Sequence, residues 1–302
     1  MHRFLITGGS GFIGSHLRDA LRSSSAEVRL FDGDICDVDT VVSALDDING
    51  VFHLAAVPSV AHSNVAWLET HRINLTGTIT VFEAIRQRGA KIPVVYASSC
   101  ATYANPLTAY GADKRACELH AEVATGIHGI PTAGLRVFNA YGPGQNPHSP
   151  YSGVISIFCD RLLAGEPVEI HGSGEQVRDF IYVADVVQAL TATMRYLLDG
   201  WRPAAPFDVC TGEGVSVLAL ANIIGELLDV RLKLKFVATR KGDMPHAVGN
   251  RVAMHANLGP IRITPLQVGL RNVLAAHLPS RQAAISSTAH EPSACDQIIQ
   301  QP

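Results

Sequence analysis

The loop Gly8-Gly9-Ser10-Gly11-Phe12-Ile13-Gly14 constrains this chain more than any other feature. Four glycines in seven positions weaken a chain unless a ligand or a second stretch of backbone has to come close. The run Arg3 to Thr7 before it has the short apolar pattern of a strand, and Ile13, Leu17 and Leu21 recur at helical spacing after it. A glycine loop between strand and helix is a phosphate cradle, because the turn is tight and the free N–H groups at the helix start face the negative charge. By itself such a match is weak, but here an acid follows in the right order. Asp32 ends the second strand run, where a carboxylate accepts hydrogen bonds from the adenosine ribose and repels a 2′-phosphate. The set predicts a dinucleotide site for NAD rather than NADP.

Apolar strand runs at 3–7, 27–31, 50–55, 92–97 and 132–138 are separated mostly by helical patterns. That alternation predicts an α/β fold, a Rossmann-type doubly wound parallel sheet with a smaller C-terminal α/β domain. The 302 residues, 47% of them apolar, suffice for one large or two modest cores. A net charge of −3 with scattered basic residues leaves no stripe to follow a nucleic acid. The six cysteines, at 36, 100, 117, 159, 210 and 295, lack the paired spacing of a zinc site and the density of a disulfide scaffold. No histidine pair has metal-ligand spacing, and no run reaches membrane-spanning length. A cytoplasmic location and no metal are therefore expected.

Ser99, Tyr110 and Lys114 point to chemistry on an alcohol. Tyr110 and Lys114 lie four apart on a predicted helix and share a face. The lysine charge, together with that of oxidised nicotinamide, would help bring the phenol down from about 10 toward neutrality, a shift worth roughly 4 kcal/mol. Ser99, at the end of the run 92–97, would hydrogen-bond the reacting oxygen.

With these residues in place, the chain resembles the extended short-chain dehydrogenase/reductase family of NAD-dependent sugar-nucleotide epimerases and dehydratases. The likeness runs from residue 1 to about 275. It rests on Gly8–Gly14, Gly33-Asp34-Ile35, Val51–Ala56, Asn74, Ser98-Ser99, Tyr110 with Lys114, Arg136–Asn139, Tyr141–Gly144, Gly172–Val183 and Arg240–Asp243. The resemblance implies that Gly8, Gly11, Phe12, Ile13 and Gly14 hold the pyrophosphate, that Asp32 meets the ribose, and that Asp34 and Ile35 meet the adenine. It also implies that Leu54, Ala55 and Ala56 line the cofactor, that Asn74 braces the site, and that Tyr110 and Lys114 work against the nicotinamide. Ser99, Asn139, Arg178, Arg240 and Asp243 would hold a nucleotide-diphosphate sugar, with the arginines on the phosphates and Asp243 near a ribose.

The two residues after Ser99 separate the reactions of such a family, because members that expel water carry an acidic pair there. Here they are Cys100 and Ala101, which favours a 4-epimerase working through a 4-keto sugar. Cys100 keeps dehydration open, since a thiol of suitable pKa is an acid and related 5,6-dehydratases resemble this chain in that cysteine. A 4-ketoreductase, or a protein that binds NAD without turnover as a sensor or partner, are the other readings. Ala247, where similar proteins carry a bulky gate, hints at room for an N-acetylated sugar.

Two departures from the family stand out. Asp32 runs straight into Gly33-Asp34, without the usual helix and strand between, so the second strand should become the sheet edge. Asp32 and Asp34 should then face the same side of an extended segment, which leaves either able to take the ribose. The stretch from Ser99 to Tyr110 is also short, which should leave the pocket less covered. Residues 1–141 and 181–211 are expected to form the NAD-binding domain and 142–180 and 212–278 the substrate domain, with 279–302 a disordered tail. Apolar stripes near 65–88 and 110–124, including Trp67, Ile79, Phe82 and Ile85, suit either a homodimer or packing on the sheet.

Overall fold

The computed structural model describes residues 1–105, 108–149, 153–239 and 242–288. Its first half contains β1 (Arg3–Thr7), α1 (Phe12–Ser23), β2 (Glu27–Leu30), α2 (Val38–Ala44), β3 (Gly50–His53), α3 (Val60–Ser63), α4 (Trp67–His71), α5 (Gly77–Gln87), β4 (Val94–Ser99), α6 (Ala109–Gly126) and β5 (Thr132–Val137). Then come β6 (Asn139–Tyr141), α7 (Val154–Leu163), β7 (Val168–His171), β8 (Val177–Arg178), β9 (Phe180–Tyr182), α8 (Val183–Leu198) and β10 (Phe207–Val209). The chain continues through β11 (Val215–Ser216), α9 (Val217–Leu228), β12 (Leu234–Val237), β13 (His246–Ala247), α10 (Val252–Leu258) and α11 (Leu266–Thr288).

Six parallel strands form the central sheet in the order β10-β5-β4-β3-β1-β2. Side chains alternate between its faces, and both faces are dry. Phe4 and Ile6 of β1 and Val95 of β4 join one core with Leu17 and Leu21 of α1 and Leu190 and Met194 of α8. Their neighbours Leu5, Val94 and Tyr96 join the opposite core with Val41 of α2, Phe82 and Ile85 of α5 and Ala121 of α6. Gly134 makes room for the Tyr96 ring, since a Cβ there would lie 2.4 Å from its hydroxyl oxygen. The strand order rises on one side of β1 and reverses on the other, so the ends of β1 and β3 open onto a crevice where such sheets bind ligands.

The missing crossover has the consequence the sequence implies. β2 is the outer strand, and only one of its flanks is paired. A third apolar core lies beyond the sheet, where α7, α9 and α11 pack around β7, with Ile155, Phe158, Ile170, Leu220, Ile224 and Leu270 fully buried. The short strands β11, β8 and β13 pair beside it, and β6 pairs with β9.

Two expectations change. Helix α11 continues to Thr288, so the segment 279–288 is helical rather than a disordered tail, and 289–302 lie outside the described residues. The apolar residues near 65–88 also divide: Phe82 and Ile85 are buried against the sheet, whereas Trp67 stays exposed.

Candidate active site

The glycine loop joins the end of β1 to the start of α1, and its shape requires glycine. Gly8 has φ +68°, and a Cβ on it would lie 2.7 Å from the Ala55 nitrogen. On Gly14 a Cβ would lie 2.2 Å from the Gly8 carbonyl oxygen. Helix α1 begins after Gly11 with no side-chain cap and no acid in its first turn. Its free N–H groups therefore face the crevice without a competing carboxylate, which suits a pyrophosphate. Leu54 and Ala55 continue from β3 directly beside the loop. Leu54 N–H donates to the Thr7 carbonyl at 3.1 Å, and Ala55 N–H donates to the Thr7 hydroxyl at 3.2 Å. Ala56 follows, and Val57 is gripped by Asn74, whose side chain accepts from the Val57 N–H at 2.8 Å and donates to its carbonyl at 3.2 Å. Asn74 reaches that position because Arg72–Thr76 form one π-helical turn, a form often found at functional sites.

Asp32 and Asp34 are both exposed just past β2. They do not continue an extended segment, because Gly33 between them has φ +147° and turns the chain. The expected shared face is thus lost. Asp34 instead accepts from the Cys36 N–H at 3.0 Å and pairs with Arg72, while Ile35 is buried.

Ser99, Cys100, Tyr110 and Lys114 come together at the end of β4. Ser99 ends that strand and caps the 3-10 turn Cys100–Tyr103, its hydroxyl accepting from the Ala101 N–H at 3.2 Å. Thr108 caps α6, and its hydroxyl accepts from the Gly111 N–H at 3.2 Å, which sets Tyr110 in the first turn. Tyr110 and Lys114 are both buried, and the Lys114 ammonium lies 5.9 Å from the Tyr110 ring centre. The Lys114 Nζ donates to the Ala97 carbonyl at 2.8 Å.

Burial governs the electrostatics of this pair in the protein alone. Burial pushes Tyr110 up to about 12, and a hydrogen bond with Ser99 pulls it partway back. Burial also lowers Lys114 from the usual lysine range. Protein groups alone therefore leave the phenol protonated, and a further positive charge in the cleft is needed to make it a base. Oxidised nicotinamide has that charge. The Cys100 thiol, crowded by protein and bonded to Ser99, is pushed up to about 11 and stays protonated at neutral pH.

On the far side of the cleft Arg178 pairs with Asp243, two residues expected to touch different parts of a nucleotide. Asn139 lies beside them, donating its side-chain N–H to the Asp179 carbonyl at 3.1 Å. Asp179 is fully buried and fixes this corner, accepting from Thr211 N–H at 2.9 Å and Gly212 N–H at 2.8 Å. Ala247 is buried in β13 opposite Arg178. Arg240 lies outside the described residues.

Sequence reading missed Glu118, four residues past Lys114 on the same helical face. It accepts from the Ser98 hydroxyl at 2.5 Å and takes both arms of the Arg136 guanidinium at 2.8 Å. A third polar residue at the Tyr110–Lys114 interval was its available signal. Tyr103 extends this network, donating to Asp208 at 2.7 Å and accepting from Arg136 at 2.7 Å. His53, within the 51–56 motif, is buried between Thr7 at 2.8 Å and Thr78 at 3.0 Å. Since the Thr78 hydroxyl donates to the Asn74 carbonyl at 2.6 Å, it can only accept from His53 Nε2–H. Burial lowers the imidazole to about 3, so His53 is a neutral strut behind Ala55.

Comparison with known proteins identifies the family. Residues 4–203 match the model of the NAD dependent epimerase/dehydratase family. The chain belongs to that family, and its cofactor is NAD. It is 29% identical over 279 residues to the UDP-glucose 4-epimerase of Mycolicibacterium smegmatis, covering 80% of this chain and 88% of that one. A UDP-glucose 4-epimerase from Thermotoga maritima, solved with UDP-glucose, superposes with a TM-score of 0.87 at 27% identity, over 92% of this chain and 99% of that chain. MoeE5, solved with UDP-glucose and NAD, superposes with a TM-score of 0.82 at 33% identity over the same shares. Among the described residues no helix is long and apolar enough to cross a membrane.

Gly14→Ala tests the cradle. The added Cβ meets backbone on two sides, at 2.2 Å from Gly8 O and 2.9 Å from Gly9 Cα, so the loop has to open. NAD affinity measured by titration calorimetry is expected to fall by about tenfold or more, or about 1.4 kcal/mol. Unchanged affinity would remove the loop from the pyrophosphate site.

Proposed function

We propose that this protein is an NAD-dependent sugar-nucleotide 4-epimerase. The reading is carried by the convergence of Ser99, Tyr110 and Lys114 beside the dinucleotide cradle, on a turn whose next two residues carry no carboxylate. NAD supplies a reversible hydride acceptor. Tyr110 takes the proton from the C4 hydroxyl and returns it once the 4-keto ring has presented its other face. Ser99 donates to the C4 oxygen as its charge develops, and Lys114 favours the phenolate. Asn139, Arg178, Arg240 and Asp243 hold the nucleoside diphosphate, the arginines by forked hydrogen bonds to phosphate. For Arg178 to do so, phosphate has to compete with Asp243, its partner in this structure. The UDP-glucose 4-epimerases that the chain resembles support a UDP-sugar as substrate.

One observation favours a second reading, dehydration. Cys100 is a protonated thiol bonded to Ser99 beside the base, and so is placed to protonate a leaving hydroxyl. Its pKa of about 11 makes it a weak acid at neutral pH, which is why epimerisation is preferred.

The test is incubation of the purified protein with UDP-, dTDP- and GDP-sugars, N-acetylated and plain, followed by mass and NMR analysis. Unchanged mass with inversion at C4 is expected, whereas loss of water would replace the epimerase with a dehydratase. Tyr110→Phe is expected to lower kcat by about 10²–10⁴-fold, and equal turnover would defeat its assignment as base.

We also propose that the protein is a homodimer formed through α6. Leu119 and Val123 of α6, and Ile127 just past its end, are exposed at four-residue intervals, and Val65, Trp67 and Leu68 are exposed in and just before α4, which packs on α6. Exposed large apolar side chains repeated along one helix face mark a contact surface. Sedimentation is expected to give twice the chain mass, and Val123→Glu to give the monomer. A monomeric wild type would reject the interface.

A further inference from the structure

Two carboxylates two residues apart form an awkward ribose end for a cofactor that itself carries a diphosphate. In this fold the adenosine half of the dinucleotide lies past the end of the second strand, where Asp32 emerges. Here that strand is also the sheet edge, and Leu30 packs directly on the cradle, since a Cβ on Gly9 would lie 2.6 Å from its Cδ2. The 34–36 segment therefore needs support from elsewhere.

Arg72 provides it. Its guanidinium donates to one carboxylate oxygen of Asp34, while the other accepts from Cys36 N–H at 3.0 Å. Its carbonyl accepts from the Cys36 thiol at 3.1 Å. Ile35, between them, is buried and fills the space above Gly77, where a Cβ would lie 2.7 Å from Ile35 Cγ2. Arg72 also opens the π-helical turn whose third residue, Asn74, grips Val57. One irregular turn thus ties the segment after β2 to the segment after β3, on either side of the cradle.

We propose that Arg72 positions the adenosine end of the NAD site, holding Asp34 in place and cancelling its charge so that Asp32 alone selects against a 2′-phosphate. The change in local charge on substitution follows from counting Asp32, Asp34 and Arg72. Asp34 and Arg72 together contribute nothing, and Asp32 contributes one negative charge. Removing Arg72 makes the local charge more negative by one and removing Asp32 makes it less negative by one, over the unchanged contribution of Asp37, which lies within electrostatic reach of Asp34. The pair is half exposed on both sides and adds little to folding stability, so the variants should stay folded.

The experiment is titration calorimetry of the full chain with NAD, NADP and ADP-ribose, with melting curves to check the fold. Arg72→Gln is expected to weaken NAD and ADP-ribose by about tenfold, and Arg72→Lys to recover most of the loss. Asp32→Ser is expected to raise NADP affinity by about tenfold or more, and the double variant Asp32→Ser with Arg72→Gln to lose that gain. Binding of NAD and ADP-ribose by Arg72→Gln within twofold of wild type would overturn the proposal. So would a NADP gain that survives in the double variant, since it would show that Arg72 carries no charge the ribose end senses.

Discussion

Burial of Tyr110 beside Lys114 is the constraint on which the rest of the site depends. Taking a phenol and an ammonium out of water favours the neutral form of each, opposite to what proton abstraction at neutral pH needs. The structure shows both effects, with Tyr110 pushed up to about 12 and Lys114 brought down. Two contacts work the other way. Ser99 bonds to the phenol, and the Ala97 carbonyl accepts from the lysine and favours its charged form. They do not reverse the balance, so the proposed role of Tyr110 as base calls for a further positive charge in the cleft. In the proposed mechanism Tyr110 then acts as base only with oxidised cofactor bound, and in the protein alone the phenol stays protonated.

The scaffold holds this geometry through a few rigid joints. β4 delivers Ser99, and α6 delivers Tyr110, Lys114 and Glu118 at four-residue intervals. Glu118 then locks the helix to the sheet through Ser98 and Arg136. Tyr103 carries the connection across to Asp208, whose other oxygen accepts from the Asn250 N–H at 3.0 Å. On the cradle side, neutral His53 and its two threonines hold β1, β3 and α5 together without adding a second charge near Lys114. Losing a crossover cost this frame its outermost strand but left its centre intact, because the sheet is organised around β1.

Much of this was legible in the sequence because it depends on local pattern. The glycine loop and the helical repeat of Ile13, Leu17 and Leu21 define their own geometry, and Asp32 running into Gly33-Asp34 was enough to place β2 at the edge. Other features depend on partners far apart in the chain. Arg72 meets Asp34 and Asp243 meets Arg178 only after the sheet has formed, and a π-helical turn at 72–76 has no pattern that periodicity detects. Glu118 was overlooked because a glutamate on a helix is ordinarily solvated, and here it is buried with an arginine. Spacing shows that a lysine is near Tyr110, while only the folded structure shows that both groups are buried.

The most direct measurement is an ultraviolet titration of phenolate absorbance, wild type minus Tyr110→Phe, with and without saturating NAD. This account requires Tyr110 to titrate near 12 in the free protein and to fall by about two units or more once oxidised cofactor is bound. A phenol that stays near 12 in both states would contradict the account.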